Sequence, residues 1–159
     1  MKIPSVLFCL ICAVCSVAAQ SQKELVTKAA QGLETAPLAA ETIKMRDKAL
    51  AWLNETDEVS AKSCSGVFAM FGASNKNMHA VDMTASYTIG IAAFKLEHPD
   101  KASDENASQL AGLELALKTY EALVKVRPKT KYESAEVLLL ARRDGVLASL
   151  VDSENCGKK

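Results

Sequence analysis

Two cysteines, two histidines and one aspartate carry most of the chemistry this sequence could do. Cys64 and Cys156 are the only cysteines beyond an apolar N-terminal stretch that holds the other three, Cys9, Cys12 and Cys15. His79 and Asp82 stand three residues apart, with Met78 and Met83 beside them. On a helix that spacing puts imidazole and carboxylate on one face. Soft thioethers next to an imidazole are a ligand set that favours Cu(I). Two fixed ligands do not make a site, however. The competing reading is a helix start with His79 and Asp82 near solvent and methionines filling the core. Cys64 and His79 could also serve as nucleophile and base, but a disulfide at Cys64 removes the thiol from that role. His98 follows Glu97 at a helix end, where a cation is favourable. No Gly-rich phosphate loop, nucleophile elbow or zinc-ligand spacing is present. The sequence therefore offers no assembled catalytic group and implies no cofactor. A metal protein or enzyme using His79 and Asp82 is the weakest of three functional readings.

The first nineteen residues decide which compartment to expect. Lys2 supplies a positive start, Val6 to Val14 an apolar core, and Val17-Ala18-Ala19 a small-residue cleavage pattern. This is the layout of a secretory signal peptide, cut after Ala19 or its neighbour Ala18. The apolar run is shorter than the roughly 20 residues a spanning helix requires, so no stable membrane span is expected after cleavage. Phe8, Ile11 and Val14 precede the three N-terminal cysteines, which argues against lipid attachment there. Residues 20–159 then form one domain with two cysteines, in an extracellular or periplasmic compartment where disulfides persist. A Cys64–Cys156 bridge follows, with buried free thiols or pairing between chains as alternatives. For a loop on the order of 100 residues, chain entropy sets its worth at about 4–5 kcal/mol. Asn54-Glu55-Thr56 and Asn106-Ala107-Ser108 match the N-glycosylation pattern and become acceptors only on a eukaryotic secretory route.

The elements that must position these residues are helical. Alanine and leucine are abundant, while glycine and proline are few. A capping box at Ser21–Glu24 predicts a first helix over residues 23–33. A second begins at Pro37 and runs through Ile43, Met45, Leu50, Trp52 and Leu53. Thr56 is expected to cap a third, whose apolar face carries Cys64, Val67, Phe68 and Phe71. A fourth, from Met78 to Glu97, has Asp82 as its only charge between Ala80 and Phe94 and is expected to be central. Leu110, Leu113, Leu117, Tyr120 and Val124 form one stripe of a fifth. Thr130 and Glu133 form a second capping box opening a sixth helix, through Val137, Leu140, Val146, Leu147 and Leu150 to Asp152. The fold class expected is all-α, an antiparallel bundle of five or six helices.

Charge excludes one class of partner. Lys and Arg balance Asp and Glu at 19 each, so there is no overall field to recruit nucleic acid or an anionic membrane. Lys125, Arg127, Lys129 and Lys131 do cluster, with Lys118 upstream. They suit an acidic partner or lipid head groups, against the plainer reading of a solvated helix connection. Trp52, Phe68, Phe71, Tyr87 and Phe94 could line a cavity for a small hydrophobic ligand, though such residues more often fill a core. The leading expectation is a non-catalytic binding or interaction module whose partner is a protein or cell-surface component. A carrier of a hydrophobic ligand is the alternative.

Overall fold

The computed structural model describes residues 7–70 and 79–156, with side chains from Ser21 onward. Met78, Phe71 and the expected stop at 72–77 lie outside the described residues, as do the side chains of Cys9, Cys12 and Cys15. Among the described residues the chain is all-helical. Seven α-helices run in the order α1 (Leu7–Thr35), α2 (Ala40–Glu55), α3 (Ser65–Met70), α4 (Ala80–Glu97), α5 (Glu105–Val126), α6 (Glu133–Arg143) and α7 (Leu147–Ser153).

The centre is the antiparallel pair α4 and α5. Their backbones touch at two glycines: a Cβ on Gly90 would lie 2.8 Å from Gly112 Cα, and one on Gly112 would lie 2.7 Å from the Tyr87 carbonyl oxygen. Only hydrogen at both positions permits that approach. α4 is buried on opposite sides, as expected of a helix apolar all round. Met83, Tyr87 and Ile91 pack with Val67 of α3, Leu113, Leu117 and Tyr120 of α5, Leu138 of α6 and Val151 of α7. Ile89, Ala92 and Ala93 pack instead with Val26, Ala29 and Leu33 of α1 and Ala49 of α2. The expected stripe of the fifth helix is therefore found in α5.

Several local expectations are corrected. Helix α1 runs without a break through Ser21–Glu24, so that box does not cap a helix; Glu24 instead pairs with Lys28 one turn on, at 2.7 Å. Pro37 precedes α2 in a turn in which Ala39 N–H donates to Ala36 C=O, and the helix begins at Ala40. Thr56 caps no helix. Its Oγ1 accepts from Glu58 N–H at 3.1 Å, a local turn that competes with helix nucleation. The chain from Asp57 to Cys64 is then non-helical, and α3 starts only at Ser65. The expected capping box before the sixth helix is likewise absent. Thr130 closes a 3-10 turn over Pro128–Thr130, and its hydroxyl donates to Arg127 C=O at 2.7 Å. Asp104, by contrast, does cap α5, accepting from Ala107 N–H at 3.0 Å.

The expected sixth helix is two helices. Gly145 has φ of +73°, a left-handed conformation that favours glycine. Around it Val146 N–H donates to Ala141 C=O at 2.9 Å and Gly145 N–H to Arg142 C=O at 3.1 Å. That pair of bonds is a Schellman motif. It redirects the chain, so only Leu147 of the expected stripe is buried. Val137, Leu140, Val146 and Leu150 remain exposed.

Candidate functional site

The residues that form the strongest polar constellation are Gln109 and Lys95, which the sequence reading did not single out, and Tyr87, which it placed among the aromatic residues able to line a cavity. Gln109 is fully buried on α5. Its Nε2 donates to Lys62 C=O at 2.9 Å, and its Oε1 accepts from Cys64 N–H at 3.0 Å and from the Tyr87 hydroxyl. Lys95, buried near the end of α4, donates to Ser60 C=O at 3.1 Å and to the Glu105 carboxylate at 2.8 Å. These two side chains hold the non-helical strap 57–64 across the α4–α5 pair. Burial of Tyr87 pushes its hydroxyl far above the ordinary tyrosine range, so it stays a neutral donor. The only sequence signal for this group is a lone cation closing the most apolar helix.

The strap ends at the disulfide. Cys64 and Cys156 are bonded, with Cα atoms 5.5 Å apart and a separation of 92 residues in sequence. The bridge fixes the end of α7 beside the start of α3. It also takes Cys64 out of the nucleophile–base pairing with His79. A second tie nearby is Asn106 Nδ2 to Asp152 Oδ1 at 2.9 Å. The nitrogen that would carry a glycan at Asn106 is thus already engaged, whereas Asn54 lies exposed at the end of α2.

His79 and Asp82 do come together, but not near solvent. His79 is 2% exposed, correcting the expectation of a surface helix start. Its Nδ1 lies 3.3 Å from Asp82 Oδ2, while Asp82 Oδ1 accepts from Arg46 of α2 at 2.6 Å. Arg46 also pairs with Asp47 at 2.8 Å. Asp82 is therefore the link between α2 and α4, its charge met by a guanidinium. Met83 turns into the core beside Tyr87. Among the described residues no three His, Cys, Asp or Glu side chains converge as metal ligands. His98 sits against Phe94 at the end of α4, with ring centroids 4.9 Å apart.

The aromatic residues do not line one cavity. Trp52 joins the α1–α2 side of the core, Phe68 and Tyr87 the other side, and Phe94 lies against His98. The hollows nearby are open grooves. One of about 370 Å³ runs over α1, α4 and α5, floored by Ala30, Gly90, Ala93 and Leu115. Another of about 540 Å³ lies between α5 and α6, edged by Glu121, Glu136, Leu140 and Arg142. Arg142 holds Glu121 at 2.6 Å across it. Tyr120, buried below, donates to Glu136 at 2.6 Å and accepts from Tyr132 N–H at 3.2 Å. Its hydroxyl is pushed up to about 12, first by burial and then by Glu136.

Comparison with known proteins supplies no relative: no protein-family model, curated protein or solved structure matches this chain. Among the described residues no helix is long and apolar enough to cross a membrane.

Proposed function

We propose that this protein is an exported, disulfide-closed antiparallel helical bundle that acts through its surface as a non-catalytic binding module. The observation that carries the reading is the apolar ridge on α6 and α7. Val137 and Leu140 are about half exposed on successive turns of α6. The Schellman turn folds Val146 back toward the last turn of α6, and Leu150 follows one turn later on α7. The turn is fixed by hydrogen bonds, and the Cys64–Cys156 bridge ties the chain just past α7 to the start of α3. An apolar ridge held out in this way marks an interaction face. Residues 1–19 and the bridge together support an extracellular or periplasmic location, since disulfides persist in such compartments. Gln109, Lys95 and Asp82 are absorbed in holding elements together, which favours binding over catalysis.

Mass spectrometry of the protein from its own host, first native and unreduced, then denatured and reduced, tests this reading. The expected mass starts at Gln20, gains two hydrogens on reduction and carries no small-molecule adduct. A mass retaining residues 1–19 would refute export by cleavage. A small molecule lost on denaturation would replace the binding module with a ligand carrier.

A further inference from the structure

The turn between α5 and α6 concentrates charge in a chain that is neutral overall. Residues 122–132 contain Lys125, Arg127, Lys129 and Lys131 and no acidic residue. All four cations are exposed, as is Pro128 between them. Val126 is exposed too, at 67%.

The backbone holds this segment in one shape. Arg127 N–H donates to Leu123 C=O at 2.8 Å, closing α5, and Thr130 N–H donates back to Arg127 C=O at 3.0 Å. A 3-10 turn rises about 2 Å per residue, so Arg127, Lys129 and Lys131 stand within roughly 10 Å of one another. Glu133 opens α6 at the segment's edge, and the next acids on either side are engaged. Glu121 is held by Arg142 at 2.6 Å, and Glu136 accepts from Tyr120 at 2.6 Å, leaving Lys131 a distant 3.8 Å from it. Lys125, Arg127 and Lys129 form no ion pair among the described residues, whereas Lys118 upstream is paired with Glu34 at 2.8 Å. Neutralising the end of α5 accounts for Lys125, which lies in its last turn. The same effect covers Arg127, the C-cap residue of that helix, but not Lys129 and Lys131, which lie beyond it.

We propose that this turn docks the protein on an anionic phospholipid surface. The inference rests on the binding-module reading above and names its partner. An exposed turn with small apolar residues between cations suits a head-group layer, which accepts charge without fixed geometry and apolar atoms at shallow depth. A protein partner would instead be expected to meet a pocket or an aromatic anchor, and single-stranded nucleic acid a stacking platform. The one aromatic residue of the segment, Tyr132, is packed edge-on against Tyr120, with ring centroids 5.1 Å apart.

The test uses the full chain and vesicles of phosphatidylcholine, alone or mixed two to one with phosphatidylglycerol. Attraction of the apolar N-terminus to lipid acts on both vesicles, so the difference between them isolates the charge effect. Each Lys or Arg near an anionic surface is worth about fivefold in partitioning. Lys125→Gln/Arg127→Gln/Lys129→Gln should therefore lose the phosphatidylglycerol preference by about two orders of magnitude. The parent's preference should also fall with added salt. Lys44→Gln/Lys48→Gln/Lys101→Gln removes the same charge from other exposed sites and should keep the preference within a few fold. Equal loss in both triple variants, or no preference in the parent, overturns the proposal. Binding of polyglutamate by a parent that ignores phosphatidylglycerol would reassign the turn to an acidic protein. Either failure leaves the binding-module reading intact; only a bound small molecule in the native mass measurement removes that.

Discussion

Replacing Gly112 by alanine tests the contact on which the whole core depends. The new methyl carbon would stand 2.7 Å from the Tyr87 carbonyl oxygen, 2.8 Å from Ile91 Cγ1 and 2.8 Å from Tyr87 Cδ2, where ordinary contact begins near 3.4 Å. Two of these atoms belong to one residue that has little freedom to move. Tyr87 is fully buried and its hydroxyl is held by Gln109, so relief requires α4 and α5 to part by several tenths of an ångström. α4 is packed on its opposite side against α1 and α2, and a shift there disturbs both halves of the core. Overpacking of this kind costs about 1–3 kcal/mol. Alanine recovers up to about 1 kcal/mol as the better helix former. Taking the middle of the overpacking range, about 2 kcal/mol, less about 1 for propensity leaves a net loss of about 1 kcal/mol, which lowers the thermal midpoint by roughly 2–4 °C in a chain of this size. Circular dichroism at increasing temperature, with urea unfolding alongside, reads the change. Gly32→Ala is the comparison, because its methyl would meet only the Thr42 side chain, which can rotate away; its effect should be smaller. A Gly112→Ala protein as stable as the parent would refute the close crossing of α4 and α5.

Further outcomes follow from the same structure. Cys64→Ser should destabilise by up to about 4–5 kcal/mol, because the bridge closes a loop whose ends are 92 residues apart; an unchanged urea midpoint would show that the bridge is absent. Gln109→Leu should cost roughly 2–4 kcal/mol by leaving the Cys64 amide, the Lys62 carbonyl and the Tyr87 hydroxyl without it, and amide exchange at Cys64 should accelerate; unaltered exchange would refute the strap's anchoring. The pKa of Tyr120 is raised in the folded state, so its stabilising contribution is complete below about pH 10, its unfolded value, and is lost as pH rises toward about 12. Tyr120→Phe should flatten that part of the stability profile relative to the parent, and an unchanged slope would contradict it.

What the sequence determined by itself is what rests on periodicity and on the covalent chain. The all-α class, the central position of α4 and the stripe of Leu113, Leu117 and Tyr120 on α5 all follow from composition and spacing within a few residues. The pairing of Cys64 with Cys156 was legible because no other cysteine lies beyond the N-terminal stretch. Tertiary structure decided the rest, because it turned on groups distant in sequence competing for the same backbone. Thr56 with Asp57 and Glu58 carries the marks of a helix start. Lys95 and Gln109, 35 and 47 residues away from the backbone groups they hold, instead bind that stretch as a strap. His79 and Asp82 were visible as neighbours on one helical face, but Arg46 on α2 made them a buried link between helices. The split of the last helix depended on Gly145, whose left-handed backbone sequence spacing does not reveal. Only that turn left the ridge of Val137, Leu140, Val146 and Leu150 uncovered, because a periodic apolar pattern states which residues share a face and not whether another element covers it.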